Sequence, residues 1–292
     1  MSDPEDDSPD SGGSEPSDPV RDEPAESNAD GGPAAPDGDS ADGFEEPDSL
    51  LGKLRVMFGD QDNLELTDGP IGKPLLYLSA PIIVTNLLQV AYNLADTFWL
   101  GQYSTEALAA VTFGFPAVFF LISLGMGVAV AGSVLVAQHT GAEEYEEAEF
   151  AASQTVTYAV LFSVVLGSIG YFFVGEFVRA LGAGPDVAPQ AANYLEVMSL
   201  GLFAMFGFIV FIDLMRGAGD TVTPMLVMFG TVFLNVVLDP FLIFGIGPFP
   251  ELGVQGAAIA TVFSRIVAMA VGVAIMFRGY HGIQIRLSEM VP

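Results

Sequence analysis

Two aspartates stand inside stretches of sequence that are otherwise apolar. Asp96 completes a series with Gln89, Tyr92 and Asn93, whose three- and four-residue spacings put all four on one helix face. Thr231, Asn235 and Asp239 recur every four residues in a second stretch, and Pro240 follows at once. A third stretch offers Thr261, Ser264 and Arg265. Two carboxylates, an amide and hydroxyls suit a hard cation such as Na⁺. They suit a proton equally, because two neighbouring carboxylates in a low dielectric resist ionising together. Pro240 withholds an amide from the carbonyl one turn earlier, and carbonyls freed where helices break serve as cation ligands. The competing reading is hydrogen bonding between helices and nothing more. That reading suits a lone Asn or Thr better than two aspartates with their desolvation cost.

Arg265 is expected to form an ion pair with Asp96 or Asp239, or else to snorkel toward the interface. Asp213 and Arg216, three residues apart, read as a local salt bridge.

These residues need elements that a bilayer can hold, and the chain supplies them. Crossing a membrane takes about 20 mostly apolar residues. Six such spans follow one another over 75–100, 108–137, 148–174, 188–215, 224–246 and 254–277. Their connections are short and rich in Gly, Pro and polar residues. The expected fold is therefore an all-α membrane protein with six transmembrane helices over 69–292.

The first 68 residues are of another kind. Of the 36 Asp and Glu in the chain, 21 fall within residues 1–70 beside only three bases, Arg21, Lys53 and Arg55. Such a segment repels itself and buries too little to offset its ordering entropy, so 1–68 is expected to be a disordered acidic tail. A short amphipathic stretch at 49–58 either lies on the membrane face or links the tail passively. The acid-rich, lysine-poor surface suits a high-salt cytoplasm and a halophilic source; an acidic regulatory tail is the alternative. Nucleic acid is not an expected partner, since no basic patch exists to meet phosphates. The N-terminus lacks the charged-then-apolar pattern of a cleaved signal.

Several chemistries are excluded. Cysteine is absent, which removes disulfides, thiolate metal sites and cysteine nucleophiles. No G-x-x-x-x-G-K-[ST] run and no H-E-x-x-H pair occur, and His139 and His281 are isolated. The expectation is no enzyme and no cofactor, with Na⁺ or H⁺ as a coupling ion. Orientation follows from bases in short loops. An N-terminus in the cytoplasm of a cell-membrane protein puts Lys53, Arg55, Lys73, Arg216, Arg278 and Arg286 inside and Arg179 outside.

Three segments carry a family likeness. YNLADTFWLGQYSTEALAAVTFGFP (92–116) resembles the first-to-second helix region of the multidrug and toxic compound extrusion family. RGAGDTVTPM (216–225) resembles that family's loop between helices four and five. NVVLDPFLIFGIGPFPELGVQGAAIATVFS (235–264) resembles its helix five and six region. The resemblance implies one lobe, the N-terminal one, of a twelve-helix transporter that expels organic cations or drugs in exchange for Na⁺ or H⁺. It further implies a cation or proton site at Tyr92, Asp96, Asn235, Asp239 and Thr261. A second six-helix lobe or a second copy of the chain is then the expected partner, with membrane lipid around both.

Two other functions compete. A lipid-linked oligosaccharide flippase of the same superfamily should show a more cationic cavity than one arginine and two acids provide. An intramembrane aspartyl protease would use the Gly217-Ala218-Gly219-Asp220 string, yet Asp220 sits in a polar loop before Pro224, where turns and helix caps use Gly and Asp.

Overall fold

The computed structural model describes residues 72–279 and 284–290. The acidic tail expected over 1–68 and its amphipathic stretch at 49–58 lie outside those residues, as do Lys53 and Arg55. The described chain is helical: α1 is Gly72–Tyr103, α2 Thr105–Gly141, α3 Tyr145–Ala180 and α4 Ala188–Leu200. After these come α5 (Leu202–Gly217), α6 (Val222–Phe244), α7 (Val254–Phe277) and a short 3₁₀ turn, Leu287–Glu289.

Four helices, α2, α3, α6 and α7, are each long and apolar enough to cross a membrane. The fourth expected span, 188–215, is not one straight helix. It is the pair α4 and α5, bent by 53° at their junction, and together they meet the same test. The junction is Gly201, and a side chain there would run into Val262 of α7, so α7 fills the elbow. The first expected span is α1. Its 32 residues outlast a hydrocarbon core of about 30 Å, but its polar stripe makes it less apolar than the others.

Lipid sets where the apolar groups go. On α3, Phe172 is 75% and Phe173 60% exposed, beside the half-exposed Phe162, Val164 and Val165. A run of this size suits a lipid-facing surface. The interior is built on α5, whose Phe206, Phe208, Phe211, Leu214 and Met215 are fully buried where it packs against α2, α3 and α7. Lipid tails are as apolar as these side chains, so close packing rather than escape from water holds α5 in place.

The site depends on three neighbours, because α1 packs along α6 and α6 along α7. At Gly256 the approach of α7 is close enough that an added Cβ would strike the Leu242 carbonyl of α6. Asp220 marks the start of α6. Its Oδ1 accepts from the backbone N–H of Val222 at 3.0 Å and Thr223 at 2.9 Å, satisfying two of the first-turn donors. The aspartate of the protease-like string is therefore a helix cap.

Beyond α7 the chain folds back onto α3. Arg286 pairs with Glu149 at 2.7 Å, and its N–H donates to Ser153 Oγ at 3.2 Å. Gln154 Nε2 donates to the Glu289 carbonyl at 2.6 Å, and Ile285 is buried. This tie was not foreseen from sequence.

Candidate cation site

The three polar stripes converge. Asn235 and Asp239 on α6 are completely buried, as is Ser264 on α7; Tyr92 on α1 and Thr261 on α7 are 4% exposed. Asn235 Nδ2 donates to Asp239 Oδ1 at 3.2 Å. Thr261 Oγ1 lies 3.5 Å from Asp96 Oδ2 and donates to it. The Asp96 and Asp239 carboxyls come within hydrogen-bonding reach of each other. All five residues singled out from sequence, Tyr92, Asp96, Asn235, Asp239 and Thr261, thus gather around one point where α1, α6 and α7 meet.

What distinguishes this point is its unmet hydrogen-bonding capacity. Asp96 Oδ1, Asp239 Oδ2, Asn235 Oδ1, the Tyr92 hydroxyl and Ser264 Oγ are buried and have no hydrogen-bonding partner among the described residues, since two ionised carboxylates hold no proton to share with each other. Buried polar atoms are nearly always satisfied, and a cluster of five oxygens on three helices is not a packing accident at one atom. An oxygen-rich group of this kind fits a hard monovalent cation. It fits a shared proton as well, bridging two carboxyls that repel when both are ionised. Pro240 contributes through the backbone: α6 runs on to Phe244, leaving the Val236 carbonyl without the amide that another residue at 240 would supply.

Other expectations change. Thr231 turns its hydroxyl to the Val227 carbonyl of its own helix at 2.7 Å and takes no part. Asp213 and Arg216 do pair, at 3.6 Å. Arg265 pairs with neither aspartate. Its Nη2 donates to Gln89 Oε1 at 3.0 Å and its Nη1 reaches Met228 Sδ at 3.6 Å. Its guanidinium carbon lies 4.8 Å from the centre of the Tyr92 ring and 5.0 Å from that of Phe208. Neutral amide, sulfur and aromatic faces replace the expected ion pair, since cation–π contact offers a cation an attractive surface without a counter-charge.

Beside the site lies a cavity of about 420 Å³. Its lining is polar at Gln89, Tyr92, Asn93, Asp96 and Arg265 and apolar at Phe115, Phe119, Met126, Met198 and Met205. Tyr194 of α4, buried and on the cavity wall, escaped the sequence reading; a single tyrosine in an apolar helix gives no periodic signal.

The MatE family model matches residues 81–241, more than half of the chain. The chain belongs to the MatE family. The matched region contains Tyr92, Asp96, Asn235 and Asp239, and stops short of Thr261. A FAD transporter of Shewanella oneidensis is 34% identical over 210 residues, 72% of this chain and 46% of the relative. A probable multidrug resistance protein NorM of Thermotoga maritima is 34% identical over 71% of this chain and 45% of its own length. Among solved structures, a multidrug resistance MATE family transporter of the MOP superfamily in its outward-facing conformation is similar with a TM-score of 0.69. It is 30% identical and aligns over 74% of this chain and 47% of that one. A MOP superfamily transporter from Pyrococcus furiosus gives a TM-score of 0.70 at 29% identity, over 82% of this chain and 50% of its own. This MatE chain therefore spans about half the length of the curated relatives it matches.

Proposed function

We propose that this MatE lobe binds a coupling cation, Na⁺ or H⁺, between Asp96 and Asp239, and forms half of an exporter of small organic compounds. The observation that carries the reading is the cluster of unpartnered oxygens on Tyr92, Asp96, Asn235, Asp239 and Ser264. Thr261 supports it by holding the second oxygen of Asp96. Charge in a membrane interior is costly enough that two such carboxyls need an occupant. The names of relatives, a FAD transporter, a probable multidrug resistance protein and a multidrug export protein, support transport of organic molecules too. The chain's residues perform no covalent step in this scheme; they bind, release and reorient.

A second six-helix body, from another lobe or another copy, completes the cavity. This chain supplies apolar and polar lining to that cavity, and a substrate pocket normally encloses most of its ligand. In vesicles that contain both halves, an imposed Na⁺ or proton gradient drives accumulation of a fluorescent organic compound. Accumulation that ignores both gradients sinks the proposal.

The same reading sets orientation in the cell membrane with the N-terminus cytoplasmic. Arg216, Arg278 and Arg286 then share the inner side while Arg179 is outer, as the basic-loop rule favours. The chain has no cysteine, so single introduced cysteines report cleanly. Gly184→Cys and Gly247→Cys react with an impermeant thiol reagent from outside, and Ser288→Cys does not. The opposite pattern reverses the topology.

A further inference from the structure

We propose that Arg265 receives the acid group, a carboxylate or a phosphate, of the compound carried in this cavity. The proposal rests on the reading of that cavity as the transport cavity. Arg265 lies on α7 one turn after Thr261, is only 9% exposed, and stands on the cavity wall. The other arginines that engage carboxylates do so by ion pairs: Arg179 with Glu176, Arg216 with Asp213, and Arg286 with Glu149. Arg265 has no such pair among the described residues, although it is the most deeply buried of them.

A fixed charge on a buried guanidinium costs desolvation that is normally met by an anion. Here Gln89 and Met228 take one N–H each and two aromatic rings cover the faces. A guanidinium has five N–H donors in a planar fork shaped to meet two oxygens of one acid group. The nearby carboxyls do not fill that role. Asp96 is near enough to feel the charge of Arg265, but it turns one oxygen to Thr261 and makes no ion pair with the guanidinium, and Asp213 pairs with Arg216.

The rings hold the guanidinium in a fixed place, which favours recognition over mobile screening. The same cavity is also lined by Phe115, Phe119, Met126 and Met205, apolar surface suited to an aromatic body. A single guanidinium meets one acid group, so the compound is an aromatic amphiphile with one carboxylate or phosphate, alone or as part of a zwitterion. The same chemistry belongs to an anionic lipid headgroup entering from the bilayer.

The test uses the full chain in phosphatidylcholine nanodiscs, titrated with dansylglycine and with its methyl ester, which differ in the acid's charge. Wild type binds the acid about tenfold more tightly than the ester, as a charge-assisted hydrogen bond implies. Arg265→Gln brings the acid down to the ester and leaves the ester unchanged, while Arg265→Lys keeps a preference for the acid. Repeating the titration with phosphatidylglycerol separates the sources. Weaker acid binding in wild type but not in Arg265→Gln identifies a lipid headgroup as the natural occupant; no change identifies a soluble acid. Equal binding of acid and ester by wild type overturns the proposal, as does an acid preference that survives Arg265→Gln. Should the Gln variant fail to insert, loss of the preference in Arg265→Lys overturns it instead. Failure of the cation site reads differently, as absent sodium binding with the acid preference intact.

Discussion

Asp96→Asn and Asp239→Asn each reduce ion-driven accumulation to the level of empty vesicles when this lobe is paired with a second. Each substitution removes one carboxyl from a site in which Asp96 on α1 and Asp239 on α6 each keep a buried oxygen without a partner among the described residues. An amide neither titrates nor balances a cation's charge, so the remaining carboxyl alone cannot hold Na⁺ or H⁺ between the two helices and release it in step with their motion. Insertion survives, because a neutral amide costs less to bury than an ionised carboxylate. Membrane yield of both variants therefore stays near that of the wild type. Accumulation that still follows the gradient in both variants returns the aspartates to a helix-packing role.

Gly256→Val destabilises the lobe by about 3 kcal/mol and takes the site with it. A Cβ at 256 meets the carbonyl of Leu242, and that atom belongs to a helix backbone that cannot swing aside as a side chain can. To make room, α7 must move away from α6. Asp239 lies three residues before Leu242 and Thr261 five after Gly256, so the movement separates groups that must share one ion. Gly230, on α6, has open space where a Cβ would go, and Gly230→Ala is expected to change stability by less than about 1 kcal/mol. Thermal unfolding in detergent, followed by loss of helical signal, distinguishes the two variants. Equal midpoints show that the contact at Gly256 yields without cost.

Much of this was legible in the sequence because membranes impose simple rules. Apolar length located α2, α3, α6 and α7, since a span has to satisfy every backbone group within itself. Helical spacing selected Asp96, Asn235 and Asp239, because polar groups every three or four residues share a face that lipid cannot solvate. Features that depend on contacts between distant residues stayed hidden. The elbow at Gly201 is set by Val262, more than sixty positions on, and nothing local marks it. The direct contacts of Arg265 are neutral, so a search for opposite charge found Asp96, which feels its charge, but not the groups that hold it. The fold-back of 284–290 onto α3 rests on bonds to Glu149, Ser153 and Gln154, side chains that read as an ordinary solvated helix end. The GxGD-like string shows the converse, a motif whose aspartate caps a helix through two backbone bonds.

The most direct measurement is cation binding by the full chain in nanodiscs, using radioactive sodium at equilibrium and, in unbuffered solution, proton release on sodium addition. One sodium ion binds per wild-type chain and displaces a proton, or, where sodium does not bind, acid titration of the same nanodiscs shows one proton taken up at the carboxyl pair that Asp239→Asn lacks. Asp239→Asn should show neither. A wild-type chain that binds no sodium and takes up no proton at the pair contradicts the account, as does full binding in Asp239→Asn.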